Sequence, residues 1–178
     1  MIGESPWKAP FRFIEIGAAP VKRLLEADAA TLKAVARHLD IEAVASLSAE
    51  LTVRPWLDGA EIRATFSAVV TQLCGVSAEP FDQDVAGAFM VRVLAAGSPN
   101  APTEPVGEEV DLDPEADDPP DVVDGGAFDL GGYVVEHLSL ELDPFPRKPG
   151  ATFQPPEPTE SASPFAVLKL LRKDDAPE

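Results

Sequence analysis

The one thiol in these 178 residues, Cys74, lies in the stretch QLCGVSAEPF, Gln72 to Phe81. A thiolate can act as nucleophile, metal ligand or redox centre, and each role needs partners. The chain has only two histidines, His38 and His137. His38 falls in the last turn of a predicted helix, where the helix dipole favours positive charge. His137 falls on the apolar face of a later one. The sequence places neither beside Cys74, so a Cys–His pair is not expected. A zinc site needs about four Cys or His ligands. Here the three such residues are scattered, and the position three after Cys74 is Ser77. Cys74 is therefore read as a small, buried, apolar side chain in a turn between two strands, with Pro80 ending the loop.

Carboxylates offer the next candidate chemistry. Asp111, Asp113, Glu115 and Asp117 alternate like the start of a calcium loop. The pattern then fails, because Ala116 replaces the required glycine and Val122 the bidentate glutamate. A solvated charge run is the better reading. No phosphate-cradling glycine loop or dinucleotide fingerprint occurs, and GVSAE lacks the second glycine of a nucleophile elbow. No catalytic, cofactor-binding or metal-ligating residue is expected, and no cofactor. The expectation is a binding protein, not an enzyme.

The elements that position these residues follow from periodicity. FRFIEI, Phe11 to Ile16, reads as a short strand. Asp28 caps a helix over Ala29 to Leu39, with Leu32, Val35, Ala36 and Leu39 on one face. Ala43, Ala45, Leu47, Ala49, Leu51 and Val53 then alternate with polar or exposed positions, a long strand with one buried face. Asp58-Gly59 supplies a hairpin turn. The return strand buries Ile62, Ala64, Phe66, Ala68 and Val70. A third strand spans about Val85 to Leu94, with Val85, Phe89, Val91 and Val93 on one side. Asp129 caps a further helix, with Leu130, Tyr133, Val134, His137 and Leu138 sharing a face. Gly131 and Gly132 weaken that helix, and close approach to the sheet would account for them. A short helix is predicted near 164–172, with Ser163 as its cap and Pro164 as its first residue.

The predicted fold class is α+β: an antiparallel β-meander or partly closed barrel packed with two to three helices, a long acidic loop and an extended C-terminal tail. Residues 1–98 and 125–146 form a single core domain. Residues 99–124 form an acidic, Pro-rich loop expected to be disordered, and 147–178 an extended tail. The net charge is −17. Residues 101–129 alone carry 11 acidic residues and no Lys or Arg, so the remainder is only mildly acidic. No run of Lys and Arg of the usual nucleic-acid kind is present. The N-terminus lacks the basic-then-apolar pattern of a signal peptide. No apolar segment approaches the roughly 20 residues that span a bilayer. A lone thiol suits a reducing compartment. A soluble cytoplasmic protein is expected.

Three segments in consistent order resemble a known family. LDGAEIRATFSAVVTQLCGVSAEPF resembles the stretch of YceD-like proteins in which a strand leads into a cysteine-containing turn. DVVDGGAFDLGGYVVEHLSLELDPFPRKPGA resembles their second signature, and PFAVLKLL their C-terminal one. The resemblance runs from about Phe11 to Leu171, and the proline-arginine ending is of the alphaproteobacterial type. Many relatives carry a Cys pair at the turn; here the pair is Cys74 and Ser77, so any metal chemistry of the paired form is not expected. The resemblance implies a non-enzymatic bacterial factor supporting 23S rRNA accumulation and large ribosomal subunit assembly.

Such a factor would bind rRNA or basic ribosomal proteins; neither a membrane nor DNA is expected as a partner. For RNA the candidate contacts are Arg147 and Lys148 after the later helix, and Lys169, Arg172 and Lys173 in the tail. For basic proteins they are Asp111, Asp113, Asp117 and Asp118 in the acidic segment. The alternative is a general protein-interaction module with a non-ribosomal partner.

Overall fold

The computed structural model describes residues 5–102 and 118–153. Its elements run β1 (Pro10–Arg12), a 3₁₀ turn (Phe13–Glu15), β2 (Val21–Glu26), α1 (Ala29–His38), β3 (Ala43–Trp56), β4 (Gly59–Leu73), β5 (Pro80–Ala95), β6 (Asp121–Val123), β7 (Ala127–Asp129) and α2 (Leu130–Glu141). β2 to β6 form one five-stranded sheet in sequential order, and β1 pairs with β7 in a second, two-stranded sheet. The first four strands of the larger sheet are an antiparallel meander, and β6 joins β5 in parallel. β2 and β6 are its two edges, so the sheet stays open and does not close into a barrel. The fold is α+β.

One face of the meander is the core. Leu47, Ala49, Leu51 and Val53 of β3, Ile62, Ala64, Phe66, Ala68 and Val70 of β4, and Val85, Phe89 and Val93 of β5 are buried in one cluster with Val35 and Ala36 of α1 and Leu130, Val134 and Leu138 of α2. Side chains alternate across a strand, and both helices cover the same face. The opposite face carries Leu24, Glu50, Thr52, Arg54, Arg63, Thr65, Ser67, Asp84 and Met90, and none of these is buried. Both helix caps hold as the sequence predicts. Asp28 accepts from the Thr31 amide at 2.8 Å. Asp129 accepts from Gly131 at 3.2 Å and from Ala9 at 2.7 Å.

The structure departs from the sequence reading at several places. The hairpin turns at Leu57-Asp58, one residue before Asp58-Gly59: Trp56 pairs with Gly59, which begins β4, and Leu57 takes the positive φ of 51°. β7 and its pairing to β1 have no counterpart in the sequence reading. The strict alternation at the start of β3 breaks at a bulge between Val44 and Ser46. It turns Val44 inward and leaves Ala45 exposed, because one extra residue inverts the pleat. FRFIEI is not one strand: after Arg12 the chain tightens into the 3₁₀ turn. The Ile16 amide returns to the Phe13 carbonyl at 3.1 Å, and the Phe13 ring meets Phe128 edge-on. β2 was not predicted. As an edge strand it is held by its backbone pairing to β3, and its side chains show little alternation. The end of the segment read as an acidic loop is strand β6, anchored where Tyr133 donates to Asp121 at 2.9 Å. Three residues are too few to show a period. The helix predicted near 164–172 lies outside the described residues.

The two glycines of α2 prove to be unequal. A Cβ on Gly131 would lie 2.5 Å from the Trp7 carbonyl oxygen, whereas one on Gly132 would meet nothing closer than 3.5 Å. The close neighbour is thus the N-terminal segment and not the sheet. Gly131→Ala is expected to destabilise by about 1–3 kcal/mol through overpacking against backbone. Gly132→Ala is expected to stabilise by up to about 1 kcal/mol through helix propensity. Thermal or denaturant unfolding of the two variants would measure the contrast.

Candidate functional site

Cys74 follows directly on β4. The turn it opens closes on itself: the Cys74 amide donates to the Glu79 carbonyl at 2.9 Å and Ala78 donates back to Cys74 at 2.8 Å. Pro80 then begins β5. The thiol is buried, as the sequence suggests, with 2% exposure. It is not in an apolar setting, however. Its sulfur accepts from the amides of Val76 at 3.4 Å, Ser77 at 3.5 Å and Lys148 at 3.3 Å. Hydrogen bonds from Ser77, through side chain and amide, and from the Lys148 amide hold its pKa down to about 6. N–H donors favour the charged sulfur over the neutral thiol.

This cradle does structural work over a long reach. The Lys148 amide comes from beyond α2, and Gly75 donates to the Pro146 carbonyl at 2.8 Å. The Lys148 ammonium meets Glu79 at 2.9 Å; that hydrogen bond raises the lysine pKa and lowers the glutamate's. Residues 146–148 are thereby strapped to the turn between β4 and β5. Neither histidine is a partner of the sulfur. His137 stacks on Phe89 with centroids 3.9 Å apart and lies 2.9 Å from the Tyr133 carbonyl through Nδ1. His38 is exposed at the last position of α1. Among the described residues, no group of three or more His, Cys, Asp or Glu side chains is placed to hold a metal ion.

Of the candidate contact residues, Arg147 is exposed and Lys148 half-buried, and the strap places both beside the Cys74 turn. Asp118 is exposed elsewhere, at a cleft between β5 and α2 that Arg92, Tyr133 and His137 also line. Asp111, Asp113, Asp117, Lys169, Arg172 and Lys173 lie outside the described residues.

The densest charge cluster of the open sheet face was not found from the sequence. Glu61 is buried although it points to that face, because three arginines cover it. Arg54 Nη2 lies 2.6 Å and Arg63 Nε 2.7 Å from Glu61 Oε1, and Arg92 Nε lies 3.7 Å from Oε2. Arg92 also stacks on Trp56, its guanidinium carbon 5.1 Å from the ring centre. Burial pushes the Glu61 pKa up. The hydrogen bond from Arg63 and the charges of Arg54 and Arg63 more than offset this, and the carboxyl titrates below its ordinary value. Strand register makes the cluster: Arg54 pairs with Glu61 across the hairpin, and Glu61 with Arg92 across β4 and β5. The pairing follows from the turn the structure shows, since Arg54 and Glu61 are each three positions from Leu57-Asp58; a turn at Asp58-Gly59, as read from the sequence, would not have paired them.

A family model described as large ribosomal RNA subunit accumulation protein YceD matches residues 62–172. The match takes in most of β4, the Cys74 turn, β5, α2 and the strap. No curated protein and no solved structure matches the chain.

The Cys74 cradle predicts a pH signature. The folded pKa of about 6 lies below the ordinary value of 9.0. The thiolate's contribution to stability is then full above about pH 9 and is lost as pH falls through about 6. Cys74→Ala should flatten the stability profile between these values, as read from chemical denaturation at a series of pH. Alkylation of the native thiol at pH 7 should be slow despite its low pKa, because the sulfur is covered, and should accelerate on unfolding.

Proposed function

The chain belongs to the YceD family of large ribosomal RNA subunit accumulation proteins, and from that premise we propose that it supports accumulation of 23S rRNA and assembly of the large ribosomal subunit in the bacterial cytoplasm as a binding factor, without a reaction of its own. The observation that carries this reading is the family match over residues 62–172. The setting of Cys74 supports the non-enzymatic part. Its sulfur is covered, its partners are backbone amides and the Ser77 side chain, and their effect is to fasten residues 146–148 to the sheet. A nucleophile needs a general base and access for its substrate.

Composition supports basic ribosomal proteins as partners. Residues 101–129 hold 11 acidic residues and no Lys or Arg. Such a segment suits basic ribosomal proteins, attracting them by charge and screening them from wrong partners.

Depletion of the protein in its own cell should lower the ratio of 23S to 16S rRNA; an unchanged ratio would overturn the reading. Cys74→Ser should restore the ratio as the unaltered chain does, and a failure to restore it by a stably folded variant would point to thiol chemistry. Deletion of residues 103–117, which spares β6, should abolish co-purification of basic ribosomal proteins and leave the unfolding midpoint within a few degrees.

A further inference from the structure

We propose that the open face of the sheet, at its β3–β4 hairpin end, binds the sugar–phosphate backbone of RNA through Arg54 and Arg63, held in place by Glu61. This rests on the ribosomal reading above and names the surface and the chemistry by which the protein would act.

The first argument is charge placed by register. The rung Arg54–Glu61–Arg92 and the neighbouring rung Lys22–Thr52–Arg63–Met90 run across adjacent strands on one face. They bring Lys22, Arg54, Arg63 and Arg92 together at one end of a face, on a protein whose net charge is −17. Of the acids of this face, Glu50 stands on the adjacent rung with Leu24 and Thr65, while Glu26, Asp82 and Asp84 stand on rungs further from the hairpin. At physiological salt, charges further away than about 8 Å are largely screened. The local excess therefore governs what this end of the face attracts.

The second argument is preorganisation. Glu61 is nearly inaccessible, with 3% of its side chain exposed, while the Arg54 and Arg63 side chains are 45% and 59% exposed. The carboxylate fixes the guanidinium groups of Arg54 and Arg63 from below and cannot engage all their N–H groups, since each guanidinium carries five. Arg92 is held a second time by Trp56. Fixing long side chains beforehand removes much of the entropy that binding would otherwise lose. Guanidinium forks match phosphate oxygens in pairs. The hydroxyls of Thr52, Thr65 and Ser67 continue along the same face, and such groups commonly contact phosphate and sugar. Among the described residues, both helices pack on the other side of the sheet, so this face is open to a long, flat ligand.

The test uses the full chain and in vitro transcribed fragments of 23S rRNA, with affinity measured over a series of salt concentrations. The unaltered protein should bind, with a log–log salt slope that includes Arg54 and Arg63. Arg54→Ala/Arg63→Ala should weaken binding on the order of ten-fold and reduce the slope by roughly 1.4–1.8, the share of two phosphate contacts. Lys33→Ala/Arg37→Ala, which removes the same charge from exposed positions on α1, should leave both quantities unchanged. Should the first double variant fail to fold, Arg63→Ala alone keeps Glu61 paired with Arg54 and Arg92 and should show about half the change in slope.

The proposal is overturned if the sheet variant binds as the unaltered chain does, or if the α1 variant loses as much. It is also overturned if the unaltered chain binds no RNA and retrieves only basic ribosomal proteins; a lowered 23S to 16S ratio on depletion would then leave the proposed function standing. If instead the arginines are needed for RNA binding and depletion leaves that ratio unchanged, the site stands and the ribosomal role falls.

Discussion

β3 and β4 lie side by side for thirteen paired positions, and the pleat sends alternate side chains to opposite sides. On one side these are Leu, Val, Ile, Phe and Ala; on the other they are Thr, Ser, Glu and Arg. Water can therefore be excluded from only one face, and both helices must gather there. α1 covers it beside β3 and α2 beside β5. Every later feature follows from this one-sided burial. It leaves a broad polar face uncovered, and it makes the turn between β4 and β5 the natural place for the chain emerging from α2 to be tied down.

The two buried ionisable groups of greatest interest solve the same physical problem in different ways. Taking a charge out of water is unfavourable unless other dipoles or charges replace the lost hydration. Cys74 is supplied with backbone amides from its own turn and from Lys148, so its sulfur is both covered and stabilised as the thiolate. Glu61 is supplied with guanidinium groups from three strands. The amide cradle is satisfied within the protein and works as a fastening. In the arginine cluster two guanidinium groups, those of Arg54 and Arg63, share one carboxylate oxygen and keep an outward side in solvent. That difference separates a structural group from a surface fit to receive an anion.

A strongly acidic chain can still carry a cationic surface. Much of the negative excess lies in one segment of the sequence, whereas the arginines come from three separate strands, each with few charges around it in the chain. Net charge describes solubility and long-range attraction. Recognition at contact distance depends on which side chains share a face, and in a sheet that is a matter of register.

The long strands, both helix caps, the place of the hairpin to within one residue and the α+β class could be read from the sequence, because each has a local physical cause: a period of two, an acceptor before a helix, a break between two alternating runs. The burial of Cys74 could be read as well. The polar character of its surroundings could not, since one of its donors, Lys148, is 74 positions away. The bulge at Ala45, the edge strand β2 and the short strand β6 were also hidden, because backbone pairing with a distant partner creates them and side-chain pattern does not. The sequence by itself determined which faces are apolar and where the chain turns. Only the tertiary structure decided that Arg54, Arg63 and Arg92 converge on Glu61, because antiparallel register, and not proximity along the chain, sets which charges become neighbours.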